Sequence, residues 1–114
     1  MTAFRKLEYD EASIVAPWIY QTDMFLFDKL FKNKDNAISA IRQLIESDHV
    51  NPYHRRFITV VYTDNPKDIL GISVSFKGCD VSDEDTFNAL MDTQKTDVKR
   101  IILAKILDLL LHHI

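Results

Sequence analysis

Glycine is nearly absent: Gly71 and Gly78 are the only two in 114 residues. A loop that cradles phosphate needs several glycines close together so that backbone N–H groups can approach the ligand, and no such loop fits here. A single cysteine, Cys79, excludes an internal disulfide. No charged-then-apolar leader ending in small residues opens the sequence at Met1-Thr2-Ala3-Phe4-Arg5-Lys6, and with the lone cysteine this predicts a cytoplasmic protein. Positive charge is not in excess either. The formal charge is −3, and Arg55-Arg56 and Lys99-Arg100 are isolated pairs, so the basic face that nucleic-acid phosphates require is missing. The longest apolar run, Ile101 to Leu111, is broken by Lys105 and Asp108 and is shorter than the roughly 20 apolar residues that span a bilayer. Neither nucleic acid nor a membrane is an expected partner.

What is present is a folded single domain over residues 1–114. Apolar residues make up 46% and charged ones 27%, unlike a disordered chain, and the length suits one core. The organising stretch is Arg56 to Phe76. Phe57 to Thr63 and Ile69 to Phe76 are dense in β-branched and aromatic residues, and Asp64-Asn65-Pro66-Lys67-Asp68 between them is a turn by its chemistry, so the two arms are antiparallel neighbours. In the second arm Leu70, Ile72, Val74 and Phe76 alternate with Gly71, Ser73 and Ser75, which predicts one face on a core.

Before the hairpin, Ala3 to Glu8 reads as a short strand anchored by Phe4 and Leu7. Asp10 stands as the N-cap of a helix reaching about Tyr20, with Ile14, Val15, Trp18 and Ile19 on one face and Pro17 expected to kink or split it. Thr22 or Asp23 caps a shorter helix that presents Phe27, Leu30 and Phe31. Asp35 or Asn36 opens a third, with Ala37, Ile38, Ile41, Leu44 and Ile45 as its core stripe. After the hairpin, Ser82 caps a helix through Phe87, Leu90 and Met91, its first turn carrying Asp83, Glu84 and Asp85. A last helix from about Val98 is apolar on almost every azimuth and ends at His112-His113-Ile114. Leaving several of those leucines in water would forfeit a few kcal/mol at about 25 cal/mol per Å². Val98 to Ile114 is therefore expected to pack against a missing C-terminal half or a second copy. The fold class that follows is α+β, a three-stranded antiparallel sheet with four to five helices on one face.

The order strand, bent helix, helix, hairpin resembles the opening of the GNAT superfamily N-acetyltransferases over residues 1–77. Phe4-Arg5-Lys6-Leu7 is similar to the first strand of that family, and Ala12 to Asp23 to its first helix and following loop. Phe57 to Tyr62 and Ile69 to Phe76, with Gly71 after Ile69-Leu70, resemble its second and third strands. The resemblance implies a parent enzyme that moves acetyl from acetyl-CoA to an amine. It also implies acceptor-side contacts from Tyr20 and Asp23, a carboxylate to hold an ammonium and a phenol to donate to a carbonyl. The family's Gln/Arg-x-x-Gly-x-Gly/Ala turn, which binds the cofactor pyrophosphate, has no counterpart here, nor do its fourth and fifth strands. Acetyl-CoA is implied for a full-length parent and no cofactor-binding or catalytic residue for this chain, so residues 78–114 form a helical segment before a missing half and the chain is expected to be inactive alone.

Each candidate also has a plainer reading. Asp23 serves as a helix cap, and Tyr20 as a core-edge residue with a wet hydroxyl. His49 and His54 flank Asn51-Pro52 without a cysteine or acid at ligand spacing and read as solvated loop histidines. Cys79 lacks a cationic neighbour other than Lys77 and reads as incidental. The alternative function is a small non-enzymatic interaction domain that homodimerises through its leucine-rich last helix.

Overall fold

A computed structural model describes residues 2–93 of the chain. The predicted helix from Val98, and with it the expectation about what covers it, lies outside the described residues. Within them the fold is α+β: a three-stranded antiparallel sheet and four helices. The strands are β1 (Ala3–Lys6), β2 (Ile58–Tyr62) and β3 (Gly71–Val74), in the order β1-β2-β3. Three helices, α1 (Ala12–Thr22), α2 (Met24–Phe31) and α3 (Lys34–Glu46), lie between β1 and β2 in the chain, and α4 (Asp83–Asp92) follows β3.

Register explains which face is covered. Phe4 pairs with Val61 and Arg5 with Val60 on one side of β2, while Val60 pairs with Ile72 and Ile58 with Val74 on the other. Alternation then places Leu7, Ile58, Val60 and Ile72 on one face, and Leu7, Ile58 and Val60 are buried. Phe4 falls on the opposite face and is 66% exposed, so Leu7 alone anchors the first strand. The second arm of the hairpin carries its apolar alternation on the core side, yet Leu70, Val74 and Phe76 remain exposed.

The turn forms as its residues dictate: the Asn65 side chain accepts from Lys67 N–H at 2.9 Å, and Asp68 N–H bonds Asn65 C=O at 3.0 Å. Arg5 ties this turn to the first strand. Its Nε donates to Pro66 C=O at 2.9 Å, and its guanidinium forks onto Glu11, with Nη1–Oε1 at 2.7 Å and Nη2–Oε2 at 2.6 Å. Glu11 therefore closes a 3-10 turn at Tyr9–Glu11, accepting from Glu8 N–H as well, and Asp10 is not the cap of α1.

Pro17 sits inside α1 without splitting it. The carbonyl that loses its donor is that of Ser13, which is exposed, so water can take the missing bond. The buried stripe of α1 is Ala12, Val15, Ala16, Ile19 and Tyr20, and Ile14 and Trp18 lie to its exposed side. Asp23 caps α2 by accepting from Leu26 N–H at 3.1 Å, and Phe27, Leu30 and Phe31 are buried as their spacing requires. Asn33, two residues ahead of the expected start, caps α3 through Asn36 N–H at 2.9 Å. Ala37, Ala40, Ile41, Leu44 and Ile45 then form the centre of the core. Ser82 caps α4 at 3.1 Å, but the residue that α4 buries fully is Ala89, and Met91 points outward.

The end of α3 has no glycine. Asn51, 1% exposed, donates through Nδ2 to Leu44 C=O at 2.8 Å and His49 C=O at 2.9 Å and accepts from Tyr53 N–H at 3.0 Å. Arg55 donates to Ile45 C=O at 3.2 Å and Ser47 C=O at 3.1 Å. Two side chains from the following loop thus satisfy carbonyls that a left-handed glycine would otherwise serve.

Candidate functional site

A cavity of about 140 Å³ lies where α2, α3, α4 and the loop after α3 meet. Phe27, Leu30 and Phe31 come from α2 and Leu44 from α3. The loop adds Asn51, Pro52 and Tyr53, and Thr86, Phe87 and Leu90 of α4 form the outer wall with Asp83. The helical spacing that builds the core places these side chains. Phe27, Leu30 and Phe31 share one face of α2 by their i, i+3, i+4 separation, and Asp83, Thr86, Phe87 and Leu90 share one face of α4 by the same rule. Phe27 and Tyr53 meet edge to face at 5.5 Å between centroids, a favoured aromatic geometry. Burial raises the Tyr53 phenol pKa above its usual value, and the negative charge of Asp23 adds to the effect.

Neither of the two residues singled out in the sequence, Tyr20 and Asp23, lines this cavity. Tyr20 is buried, its ring 6.4 Å from that of Phe27, and its hydroxyl donates to Asp28 Oδ1 at 2.7 Å. That hydrogen bond raises the phenol's pKa, with desolvation contributing next. Asp23 is exposed and spends one oxygen on the α2 cap. Tyr20, Asp23 and Tyr53 are thus gathered around Phe27, with Asp28 as the direct partner of Tyr20. Asp28 had no sequence signal beyond its place eight residues after Tyr20. Phe87 and Leu90 reach the lining because α4 packs near α3, and Tyr53 because the loop after α3 turns toward Phe27, neither of which a local pattern encodes.

The histidines divide. His54 is 7% exposed rather than solvated, and its Nδ1 accepts from Arg56 N–H at 3.1 Å. Burial lowers its pKa, and the neighbouring Arg55 charge lowers it further. His49 lies between two carboxylates of α4, with Nδ1 3.8 Å from Asp85 and Nε2 3.5 Å from Asp92. Acids at 36 and 43 residues' remove were not visible as neighbours in the sequence. Among the described residues no group of three or more His, Cys, Asp or Glu side chains is arranged to hold a metal. Cys79 is exposed and unpaired by disulfide. No helix among the described residues is long and apolar enough to cross a membrane.

Comparison with protein-family models, with curated proteins and with solved structures returned no match.

Proposed function

We propose that the chain is the acceptor-side part of a cytoplasmic N-acetyltransferase that transfers acetyl from acetyl-CoA to an amine. The observation that carries this reading is the strand arrangement. β1-β2-β3 are antiparallel throughout, with a helical crossover between the first two and a tight hairpin between the last two, as the resemblance implies. The outer edge of β3 supports it too. No described strand pairs there, and Leu70, Val74 and Phe76 leave apolar surface beside it, the condition under which a further strand gains both hydrogen bonds and burial.

In direct transfer the neutral amine nitrogen attacks the thioester carbonyl carbon. The C–N bond forms as the C–S bond breaks, the thiolate leaves and takes up a proton, and the nitrogen gives one up. This chain's part is to bind and orient the amine on its α2 side, where Asp23 adds negative charge at a distance from the start of α2 and the Tyr20 hydroxyl is bonded to Asp28. The pyrophosphate turn is not in the 114 residues, so acetyl-CoA belongs to the rest of the parent.

The test compares the 114-residue chain with the product of its entire source reading frame. Melting temperature with and without acetyl-CoA, release of free CoA thiol over a panel of amines, and native mass are measured on both. The expected result is no cofactor response from the 114 residues, and both a melting shift and thiol release from the full product. A reading frame that yields only these residues, or a full product indifferent to acetyl-CoA, overturns the proposal. A stable dimer of the 114-residue chain in that case supports the alternative, a homodimerising interaction domain.

A further inference from the structure

The cavity between α2, α3 and α4 has a ligand chemistry of its own. Its volume, about 140 Å³, is close to that of an engineered apolar cavity of roughly 150 Å³ that stays dry and takes a benzene ring. Four of its lining side chains are aromatic, and the polar groups of Asn51 and Thr86 are already bonded. The Asn51 amide is bonded to Leu44, His49 and Tyr53, and Thr86 Oγ1 donates to Ser82 C=O at 2.9 Å. Among the described residues the only ionic side chain on the lining is Asp83, exposed at the start of α4, with no lysine, arginine or histidine beside it there. A ligand carboxylate would meet like charge, and a cation would meet its complement.

We propose that this pocket holds the single aromatic ring of a primary amine, the ring seated among Phe27, Phe31, Tyr53 and Phe87 and the ammonium at Asp83. Naming that amine as the acetyl acceptor rests on the function proposed above; the binding itself does not. The outer wall is supplied by α4, whose Ala89 is buried and whose Asp85 and Asp92 lie beside His49, so the helix that follows the hairpin completes the site.

The experiment titrates the 114-residue chain, without acetyl-CoA, with 2-phenylethylamine, 2-phenylethanol and phenylacetate. These share one ring and differ in charge. Binding is followed by calorimetry and by the NMR signals of Tyr53 and Phe87. The expected result is a Kd on the order of a millimolar for the amine, weaker binding of the alcohol and none of the carboxylate. Asp83→Asn, at an exposed position, weakens the amine roughly threefold and leaves the alcohol unchanged. Leu90→Phe, which fills the cavity, weakens both more than about tenfold, while the thermal melt reports that the variant folds. Equal binding of all three compounds, signals that move away from Tyr53 and Phe87, or no binding of the amine overturns the proposal. A bound amine with no acetyl transfer from the full reading-frame product leaves this site standing and removes the acetyltransferase reading instead.

Discussion

Arg5 and Glu11 form a two-point ion pair, and neither is more than a fifth exposed at its side chain. The hydrogen bond from Arg5 holds the Glu11 carboxyl below its usual pKa near 4.5. The folded state therefore binds fewer protons there than the unfolded chain. The stabilisation is complete above about pH 4.5 and is lost as pH falls through the folded value. His54 gives a second step of the same sign at higher pH. Its folded pKa is depressed below 6.5, so stability is fullest above that pH and declines as acid charges the buried imidazole and removes the acceptor that Arg56 N–H uses. Urea unfolding between pH 7.5 and 3 should show two declines. Glu11→Gln should remove the lower one and lower stability at neutral pH by about 2 kcal/mol, and His54→Asn, which keeps an acceptor at the cap, should flatten the upper one. A single acid transition in the parent chain would contradict this assignment. Lys32 is the one residue other than glycine among the described residues with positive φ, 81°, at the end of α2. Its side chain is exposed, so Lys32→Gly should stabilise by about 1 kcal/mol, read as a higher urea midpoint at unchanged slope.

At the scale of elements, legibility followed the reach of each signal. α3 could be read because its core stripe repeats within one helix, and the Asn65-Pro66 turn because its chemistry is local. The face of β1 could not be read, since a four-residue strand with Phe4 and Leu7 three apart has no single alternation and only pairing with β2 decides which of them is inside. Similarly, large apolar residues point the stripe of α1 toward Ile14 and Trp18, whereas the helix buries Ala12 and Ala16, since packing against α3 favours small side chains. The site was legible only in part. Tyr20 and Asp23, which the sequence points to, do not line the cavity, and Tyr53, Asp83 and Phe87, which do, converge through tertiary structure alone. Pro17 tests the local account of α1. Because the helix passes through it unbroken, Pro17→Ala restores an N–H to Ser13 C=O, and stability should rise by about 1–3 kcal/mol in chemical denaturation. A loss of stability would show that the proline ring fills space the alanine cannot.

For the whole molecule, the uneven cover of the sheet is the main fact. Leu7, Ile58 and Val60 are buried on one face of the sheet, whereas among the described residues no strand pairs with the outer edge of β3, and Leu70, Val74 and Phe76 in and beside it are exposed, a recognised template for association. Leu70→Lys, at a site 63% exposed, should change the unfolding free energy by less than about 0.5 kcal/mol while reducing concentration-dependent association in sedimentation velocity. Association unaffected by Leu70→Lys would place the sticky surface elsewhere.

The pairing of Ala3 with Tyr62 has one more consequence, for the order in which the molecule is made. On a ribosome the first strand emerges with all of α1, α2 and α3 still to come, and its partner only after them. The helices can condense around the Ile41 side of α3 while the opening residues have nothing to pair with, and the sheet closes late, when Ile58 to Tyr62 arrive. Arg5 cannot grip Pro66 until the turn after β2 has followed, so the first strand made waits for a clasp that lies 61 residues behind it.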